Sequence, residues 1–378
     1  MDVLRCPKRA SLNNDSMMSG GRLLMKRLLV IFTGGTIGSK AEGLAINVSD
    51  SGSYTLLEEY RKQPFYRNDV QLDTIQPLNL LSENLTPQDW LVLAKAIREV
   101  DWSLYEGLIV THGSDTLAYT AAMMSYLFAD VPIPLVLTAS NYPIADVRSN
   151  GLRNLSSSID FIVNASLPGT FVVYENNKGE PLVYLGTRIF QNESFTDQFL
   201  SPYELVYGMM ASDRTFQLVE DRRNPDPASL SPRASTLSWE PLTLQLEDAV
   251  LYIKPYPGLN YDLYDFSKQK PRVILHDLHH SGTANALEAG PYSLTAFIEK
   301  IRELEIDCYL CPITNASDAL YDSSHRLIDA GARFIENISI EAALTKLMLA
   351  YGMIEEDGAR DAFIRSASIY YEKLEVLS

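Results

Sequence analysis

Cysteine is scarce in this sequence, which has only Cys6, Cys308 and Cys311 among its 378 residues. Three unevenly spaced thiols cannot form the disulfide framework of a secreted domain, and they favour a reducing compartment. No stretch reaches the roughly 18 apolar residues that a membrane-spanning helix needs. Basic residues are also few: 32 against 48 acidic residues give a formal net charge of −16. This balance argues against nucleic acid and anionic membranes as partners, because both attract basic surfaces. The sequence therefore predicts a cytoplasmic protein.

The length and composition predict two globular domains. A hydrophobic content of 46% and a charged content of 21% are typical of globular proteins, and 378 residues suffice for two cores. Residues 1–25 are polar and have no apolar signal region, so we predict a disordered leader. Residues 26–212 are expected to form the N-terminal, catalytic domain and residues 249–378 a smaller C-terminal domain. Residues 213–248, with four prolines and no periodicity, are expected to be an interdomain linker region.

Predicted strands and helices alternate along both domains. Short apolar runs typical of buried parallel strands occur at residues 28–32, 108–110, 134–138, 250–253, 273–275 and 307–311. Periodic apolar faces typical of helices occur at residues 86–100, 117–127, 150–163, 294–304 and 340–351. Residues 171–174 and 182–184 predict a hairpin, and the polar residues 40–68 predict a loop. The expected fold is α/β, with a larger, doubly wound, mainly parallel sheet that includes a hairpin, and a smaller C-terminal α/β domain.

Two short stretches place hydroxyl groups where predicted strands end. Residues 33–38 are Thr-Gly-Gly-Thr-Ile-Gly, and residues 111–116 are Thr-His-Gly-Ser-Asp-Thr. Ligands of open α/β sheets bind beyond the carboxyl ends of strands, so Thr36, Ser114 and Asp115 are expected to face one pocket. The first stretch is not a dinucleotide fingerprint, because its glycines lack the G-x-G-x-x-G spacing and no acidic strand end follows about 20 residues later.

These two stretches resemble the two signatures of the bacterial-type L-asparaginases, specifically of the cytoplasmic type I branch. Residues 81–87, 137–143 and 340–347 resemble the substrate loop, the segment after the third strand and the C-terminal helix of that family. The resemblance implies hydrolysis of the side-chain amide of L-asparagine to L-aspartate and ammonia, an activity of amino-acid metabolism. It further implies that the enzyme needs no cofactor or metal and assembles as a homodimer or homotetramer.

The resemblance also assigns catalytic roles. Thr36 would be the nucleophile, whose Oγ attacks the amide carbonyl to give an acyl-enzyme. Ser114 would replace the second family threonine, keeping its hydroxyl but losing the methyl group that restricts χ1. Backbone N–H groups at the turns of Gly35 and Gly113 would stabilise the tetrahedral oxyanion.

The substrate-binding residues follow from the same resemblance. Asp115 would face the substrate ammonium, and Ser82 would hydrogen-bond the substrate carboxylate. Glu83 lies beside Ser82 in the substrate loop and would suit a substrate carrying more positive charge. Ala139 stands where the family has a glycine.

The sequence departs from the family at Gln191. The family places a lysine, bonded to the aspartate of the second signature, three residues after a Gly-x-Arg that is here residues 186–188. Glutamine can donate hydrogen bonds but carries no charge, so it cannot supply the electrostatic or proton-relay part of that role. Two alternatives therefore stay open: a catalytically weak relative that binds a small amino acid, and an amidase for another amide such as glutamine.

Other reactive side chains suggest weaker interpretations. His276, His279 and His280 lie at the end of a predicted strand, but no spacing such as H-E-x-x-H supports a metal site. A polar loop is the competing interpretation. Cys308 and Cys311 would point to opposite faces of a predicted strand, so we interpret them as small buried residues and not as a redox pair.

Overall fold

Two sheets organise the chain, a large one in its first part and a small one in its second. The computed structural model describes residues 25–35, 37, 39–42, 45–48, 52–176, 179–230, 232, 237–314 and 321–374, with the backbone alone for 39–42, 45–48 and 52–54. The strands of these residues are β1 (Lys26–Phe32), β2 (Ser39–Glu42), β3 (Ala45–Val48), β4 (Val70–Ile75), β5 (Gly107–Thr111), β6 (Pro134–Thr138), β7 (Gly169–Glu175), β8 (Pro181–Leu185), β9 (Gly208–Met210), β10 (Phe216–Leu218), β11 (Val250–Ile253), β12 (Val273–Asp277), β13 (Asp307–Ile313) and β14 (Arg333–Glu336). The helices are α1 (Gly52–Arg61), α2 (Pro87–Arg98), α3 (Leu117–Leu127), α4 (Gly151–Ala165), α5 (Leu294–Glu303), α6 (Asp322–Asp329), α7 (Ile340–Met353) and α8 (Asp357–Arg365).

The large sheet has the strand order β10-β9-β8-β7-β6-β5-β1-β4. Strands β4, β1, β5, β6 and β7 run parallel, and β8, β9 and β10 are antiparallel to their neighbours. Every residue of β5, β6 and β7 is buried, because helices cover both faces of the sheet. Strands covered on both faces appear in a sequence as short continuous apolar runs, which is why these three could be predicted. The predicted fold class is confirmed.

The second sheet is parallel throughout, in the order β11-β12-β13-β14. Its helix α7 begins at Ile340, as predicted, and Ser339 caps it: the Ser339 Oγ accepts the Ala342 N–H at 3.1 Å. Helices α3 and α7 are buried on nearly all sides because they pack against each other between the two sheets. The Tyr126 hydroxyl on α3 donates to the Ala342 carbonyl on α7 at 3.2 Å. The second part of the chain is thus fixed to the first through a continuous core.

The prediction of a loop over residues 40–68 is wrong. The backbone forms the antiparallel pair β2–β3 and then helix α1. Leu56, Leu57 and Tyr60 of α1 are buried, and Phe65 packs against the Tyr60 ring. Because only this narrow set of side chains is apolar, the polar face of α1 and the flanking Gly and Ser residues obscured the helical period.

Strand β10 lies inside residues 213–248, the range expected to be a linker. It pairs with β9 and extends the antiparallel edge of the large sheet. Trp239 also lies in this range and is buried against Phe128 of the first domain, with ring centroids 5.5 Å apart. Part of the range therefore packs against the N-terminal domain, while the domain boundaries themselves stay a prediction.

Candidate active site

The two signature turns are in direct backbone contact. They follow β1 and β5, which are adjacent parallel strands, so both turns lie at the same edge of the sheet. Gly34 and Gly35 have φ values of +100° and +75°, which glycine adopts without strain. A Cβ atom on Gly35 would lie 2.5 Å from the Gly113 nitrogen. Only glycine therefore allows the two turns to approach so closely.

A third segment joins them through the backbone of Leu80. The Gly35 N–H donates to the Leu80 carbonyl at 2.9 Å, and the Leu80 N–H donates to the Thr33 carbonyl at 3.0 Å. This pairing places Ser82, two residues after Leu80, next to the second turn. It also engages the Gly35 N–H, one of the two groups expected to stabilise the oxyanion, with a protein carbonyl.

Ser82 lies against Gly113 and beside Asp115. A Cβ atom on Gly113 would be 2.3 Å from the Ser82 Oγ. The Ser82 Oγ is 3.5 Å from Asp115 Oδ2, a distance at the outer limit of a hydrogen bond, and the Ser82 carbonyl accepts the Thr116 hydroxyl at 2.9 Å. Ser82 is buried, whereas Asp115 and Glu83 are exposed and Ser114 is half-buried. An exposed carboxylate beside a buried hydroxyl can bind the ammonium and carboxylate of an amino acid.

Hydrogen bonds to buried residues fix the second turn on its interior side. His112 is buried, and its Nδ1 lies 2.8 Å from the Gly113 carbonyl oxygen. Burial lowers the pKa of His112 to about 4, so the imidazole is neutral at physiological pH. The His112 N–H donates to the Thr138 carbonyl at 2.8 Å, which places the end of β6, and with it Ala139, next to this turn. Ala139 is itself buried, and its carbonyl accepts from Asn154.

Gln191 has partners other than Asp115. Its Oε1 accepts the Tyr119 hydroxyl at 3.2 Å, and its N–H donates to Glu341 Oε1 at 2.6 Å. Burial raises the pKa of Glu341, whose Oε2 has no hydrogen-bond partner among the residues that the structure describes. In the described part of the chain, no hydrogen bond or ion pair joins Gln191 to Asp115. Tyr119 lies four residues after Asp115, in the first turn of α3, and this spacing is the signal that could have linked it to the site.

Comparison with known proteins identifies the family. A family profile described as "Asparaginase, N-terminal" matches residues 27–219, more than half of the chain. The chain belongs to the asparaginase family. The resemblance drawn from its two signatures is confirmed at this level.

Three relatives illustrate the range of this asparaginase family. The L-asparaginase of Thermococcus kodakarensis is 28% identical over 338 residues, covering 86% of this chain and 93% of the relative. L-asparaginase 1 of Escherichia coli K12 is 26% identical over 333 residues, covering 85% and 90%. A component of the glutamyl-tRNA(Gln) amidotransferase of Haloquadratum walsbyi is 27% identical over 282 residues, covering 72% of this chain and 60% of that component. The solved structure of the T. kodakarensis enzyme has a TM-score of 0.73 at 24% identity, covering 93% of this chain and all of that one, which supports the fold.

Thr36, the expected nucleophile of this asparaginase-family chain, lies outside the described residues. Its neighbours Gly35 and Ile37 are both buried. Lys178, the one lysine near Gln191 in the sequence, also lies outside them.

A segment that the sequence analysis missed anchors the loop leading to Gln191. We call residues 366–374 the C-terminal strap. The Thr187 hydroxyl donates to the Tyr370 carbonyl at 2.8 Å, and the Arg188 guanidinium donates to the carbonyls of Tyr371 and Lys373. Both Thr187 and Arg188 are buried.

A buried ion pair fixes the strap to α7. Lys346 Nζ lies 2.7 Å from Glu372 Oε1, and neither side chain is exposed. Lys346 Nζ also donates to the Ala367 carbonyl at 2.7 Å, and the Glu372 carboxylate accepts the N–H groups of Ile369 and Tyr370. The positions of Thr187 and Arg188 therefore depend on α7 through the strap.

The remaining candidates have structural surroundings. His276 is buried, with its Nε2 2.9 Å from the Tyr261 hydroxyl, whereas His279 and His280 are exposed. Within the described ranges, no three His, Cys, Asp or Glu side chains are grouped to hold a metal ion. Cys308 and Cys311 are buried free thiols on β13, and burial raises the pKa of Cys308 to about 12. Among the helices of the described residues, none combines the length and apolar character of a bilayer-spanning segment.

Proposed function

We propose that this asparaginase-family chain hydrolyses the side-chain amide of L-asparagine to L-aspartate and ammonia. The observation that carries the proposal is the contact between Gly35 and Gly113, with Ser82 and Asp115 alongside. That contact joins a turn that continues into a threonine to a turn that carries a serine and an aspartate. The reaction needs a nucleophile, a path for its proton, N–H donors and a subsite for an amino acid.

Thr36 is the proposed nucleophile, because it directly follows Gly35. Its Oγ attacks the amide carbon, the hydroxyl proton passes to the leaving nitrogen, and ammonia departs from an acyl-enzyme. Water then attacks the ester, releases L-aspartate and restores the hydroxyl. Because the Gly35 N–H already donates to Leu80, we assign oxyanion stabilisation to N–H groups of the second turn, where Ser114 also offers its hydroxyl.

The substrate's α-amino and α-carboxylate groups would bind beside these turns. We assign the ammonium to the exposed carboxylate of Asp115 and the α-carboxylate to the Ser82 hydroxyl, which lie next to each other. Glu83 is exposed on the same loop and would suit a substrate that carries more positive charge. Ala139, buried at the end of β6, would limit the depth of the pocket.

The hydrogen bond between Gln191 and Tyr119 favours a second candidate, a weak enzyme that mainly binds a small amino acid. A glutamine that is bonded to Tyr119 and carries no charge cannot itself supply the cation that the resemblance implies at this position. The likeness to an amidotransferase component favours a third, hydrolysis of a different amide such as that of glutamine.

Ammonia release from L-asparagine and L-glutamine, measured beside a Thr36→Ala variant, separates these candidates. We expect turnover of asparagine that the variant lacks. Equal ammonia release from the variant would refute the nucleophile. No turnover together with a raised melting temperature in asparagine would support the binding protein, and preference for glutamine would support the other amidase.

We further propose a cytoplasmic homodimer or homotetramer. The buried, unpaired Cys308 and Cys311 support a reducing compartment. Light scattering after size-exclusion chromatography tests the assembly, and a monomer at all concentrations would contradict it.

A further inference from the structure

The buried side chains of Trp90, Thr120 and His112 form a linear hydrogen-bond network that ends at the second turn. The Trp90 indole Nε1–H donates to the Thr120 Oγ1 at 2.9 Å. The same Thr120 oxygen lies 3.0 Å from His112 Nε2, and His112 Nδ1 lies 2.8 Å from the Gly113 carbonyl oxygen. Trp90, Thr120 and His112 are each 5% exposed or less. This hydrogen-bond network therefore extends from α2 through α3 to the backbone of the candidate active site.

The donors of this network can be assigned from its Gly113 end. A carbonyl oxygen only accepts, so at the Gly113 end the proton of the neutral imidazole must be on Nδ1. His112 Nε2 is then an acceptor and takes the Thr120 hydroxyl proton. An indole nitrogen only donates, so the Thr120 oxygen accepts from Trp90, which is compatible with this Nδ1–H tautomer.

The hydrogen bond that this tautomer donates fixes the orientation of the peptide group between Gly113 and Ser114. In a trans peptide the carbonyl and the following N–H point in opposite directions. The Gly113 carbonyl points to His112 in the interior. The Ser114 N–H therefore points away from the interior, toward the more exposed side of the turn. Among the described residues, none accepts the Ser114 N–H. A fixed and unengaged N–H of this kind is what an oxyanion site requires.

We propose that His112 is a positioning residue: relayed by Thr120 and Trp90, it holds the Gly113 carbonyl so that the Ser114 N–H faces the substrate's developing oxyanion. This inference rests on the proposed amidase function. His112 touches no reacting atom and moves no proton in the reaction. Its role is to fix the orientation of one peptide group.

The first test needs no activity. Imidazole ¹⁵N shifts of the full-length protein distinguish the two neutral tautomers of His112, assigned with a His112→Gln variant. We expect a protonated Nδ1 and an unprotonated Nε2, and Trp90→Phe should reduce the Nδ1–H population because it frees the Thr120 hydroxyl to rotate. An Nε2–H tautomer in the wild-type protein would overturn the proposal.

The second test is kinetic and uses Thr120→Val, which keeps the shape but removes the relay hydroxyl. We expect kcat on L-asparagine to fall about tenfold, part of the roughly 10² that loss of an oxyanion donor costs, with KM changed less than about twofold. Thr120→Ser should restore most of kcat. The matched control is Thr170→Val, which should leave kcat unchanged, because the buried Thr170 hydroxyl has no hydrogen-bond partner within the described ranges.

The outcomes separate this proposal from the proposed function. Unchanged kcat in Thr120→Val, or a fall that serine does not reverse, would overturn the positioning role. If Thr120→Val does not fold, Trp90→Phe takes its place with a smaller expected loss of kcat, and an unchanged kcat there would overturn the role as well. A wild-type protein that releases no ammonia would refute the proposed function and the catalytic half of this inference, while the tautomer test would still decide whether His112 holds Gly113.

Discussion

The substitution Gly113→Ala tests whether the close contact at the candidate site is needed for function. The new Cβ would lie 2.3 Å from the Ser82 Oγ and 2.6 Å from the Ser82 Cβ, where ordinary contacts begin at 3.4 Å. Rotation about χ1 moves only the Oγ, so the Cβ clash must be relieved by the backbone. Ser82 would have to shift by about 1 Å within a close-packed region. Overpacking of this kind costs about 1–3 kcal/mol of unfolding free energy.

The same displacement should also lower the catalytic rate. A displacement of about 1 Å in a group that orients substrate lowers the rate by about 10², so we expect kcat/KM for L-asparagine to fall by about that factor. Steady-state ammonia release and urea denaturation measure the two effects separately. Gly113 does not have a positive φ, so alanine adds steric overlap without backbone strain.

Two controls isolate the contact. Gly358→Ala introduces a Cβ at an exposed position in α8, 3.0 Å from the Glu356 carboxylate that caps this helix, and should leave kcat/KM unchanged. Combining Gly113→Ala with Ser82→Gly removes the overlap, so the unfolding free energy should recover while activity stays low for lack of the Ser82 hydroxyl. The reasoning fails if Gly113→Ala retains kcat/KM within about twofold.

Three further predictions concern charge. Gln191→Lys should raise kcat on L-asparagine, by about 10² if a complete proton relay is restored, because the ammonium of the new lysine would approach Tyr119 and Asp115. Gln191→Met is the uncharged control. An equal effect of the two substitutions on kcat would contradict the prediction. Lys346→Met should lower the unfolding free energy by about 3–5 kcal/mol, because it leaves the fully buried Glu372 without its cation, and the double variant with Glu372→Leu should recover much of this loss in urea denaturation. Burial alone would raise the pKa of Glu372, but Lys346 and backbone N–H groups hold it below its ordinary value of 4.5. A carboxyl group whose pKa is lowered on folding stabilises the protein above its unfolded-state pKa, and this stabilisation is lost as the pH falls through the folded-state pKa. The urea concentration at the midpoint of unfolding should therefore decrease as the pH is lowered below about 4.5. The decrease should be less steep in the double variant.

The sequence was sufficient for the elements that build the turns because their signals are local. The apolar runs of β1, β5 and β6 each lie within a few consecutive residues. Helix α1 could not be predicted in the same way, because its few buried side chains lie within a polar segment.

The contacts of the candidate site depend on long-range packing that no local pattern encodes. Gln191 and Glu341 are 150 residues apart in the chain, and Tyr119 meets Gln191 across 72 residues. The resemblance identified which position departs from the family. What that residue contacts instead is decided by how α3 and α7 pack together, and the sequence alone could not predict it.

The C-terminal strap has a consequence for the order in which the protein matures. Thr187 and the strap carbonyl that holds it are 183 residues apart, which a ribosome adding about 5–20 residues per second translates in roughly 10–40 s. During that interval the strands of the large sheet can pair, but the loop that carries Gln191 has not yet met its anchor. The loop that carries Gln191 is therefore anchored only after the last part of the described chain has been made.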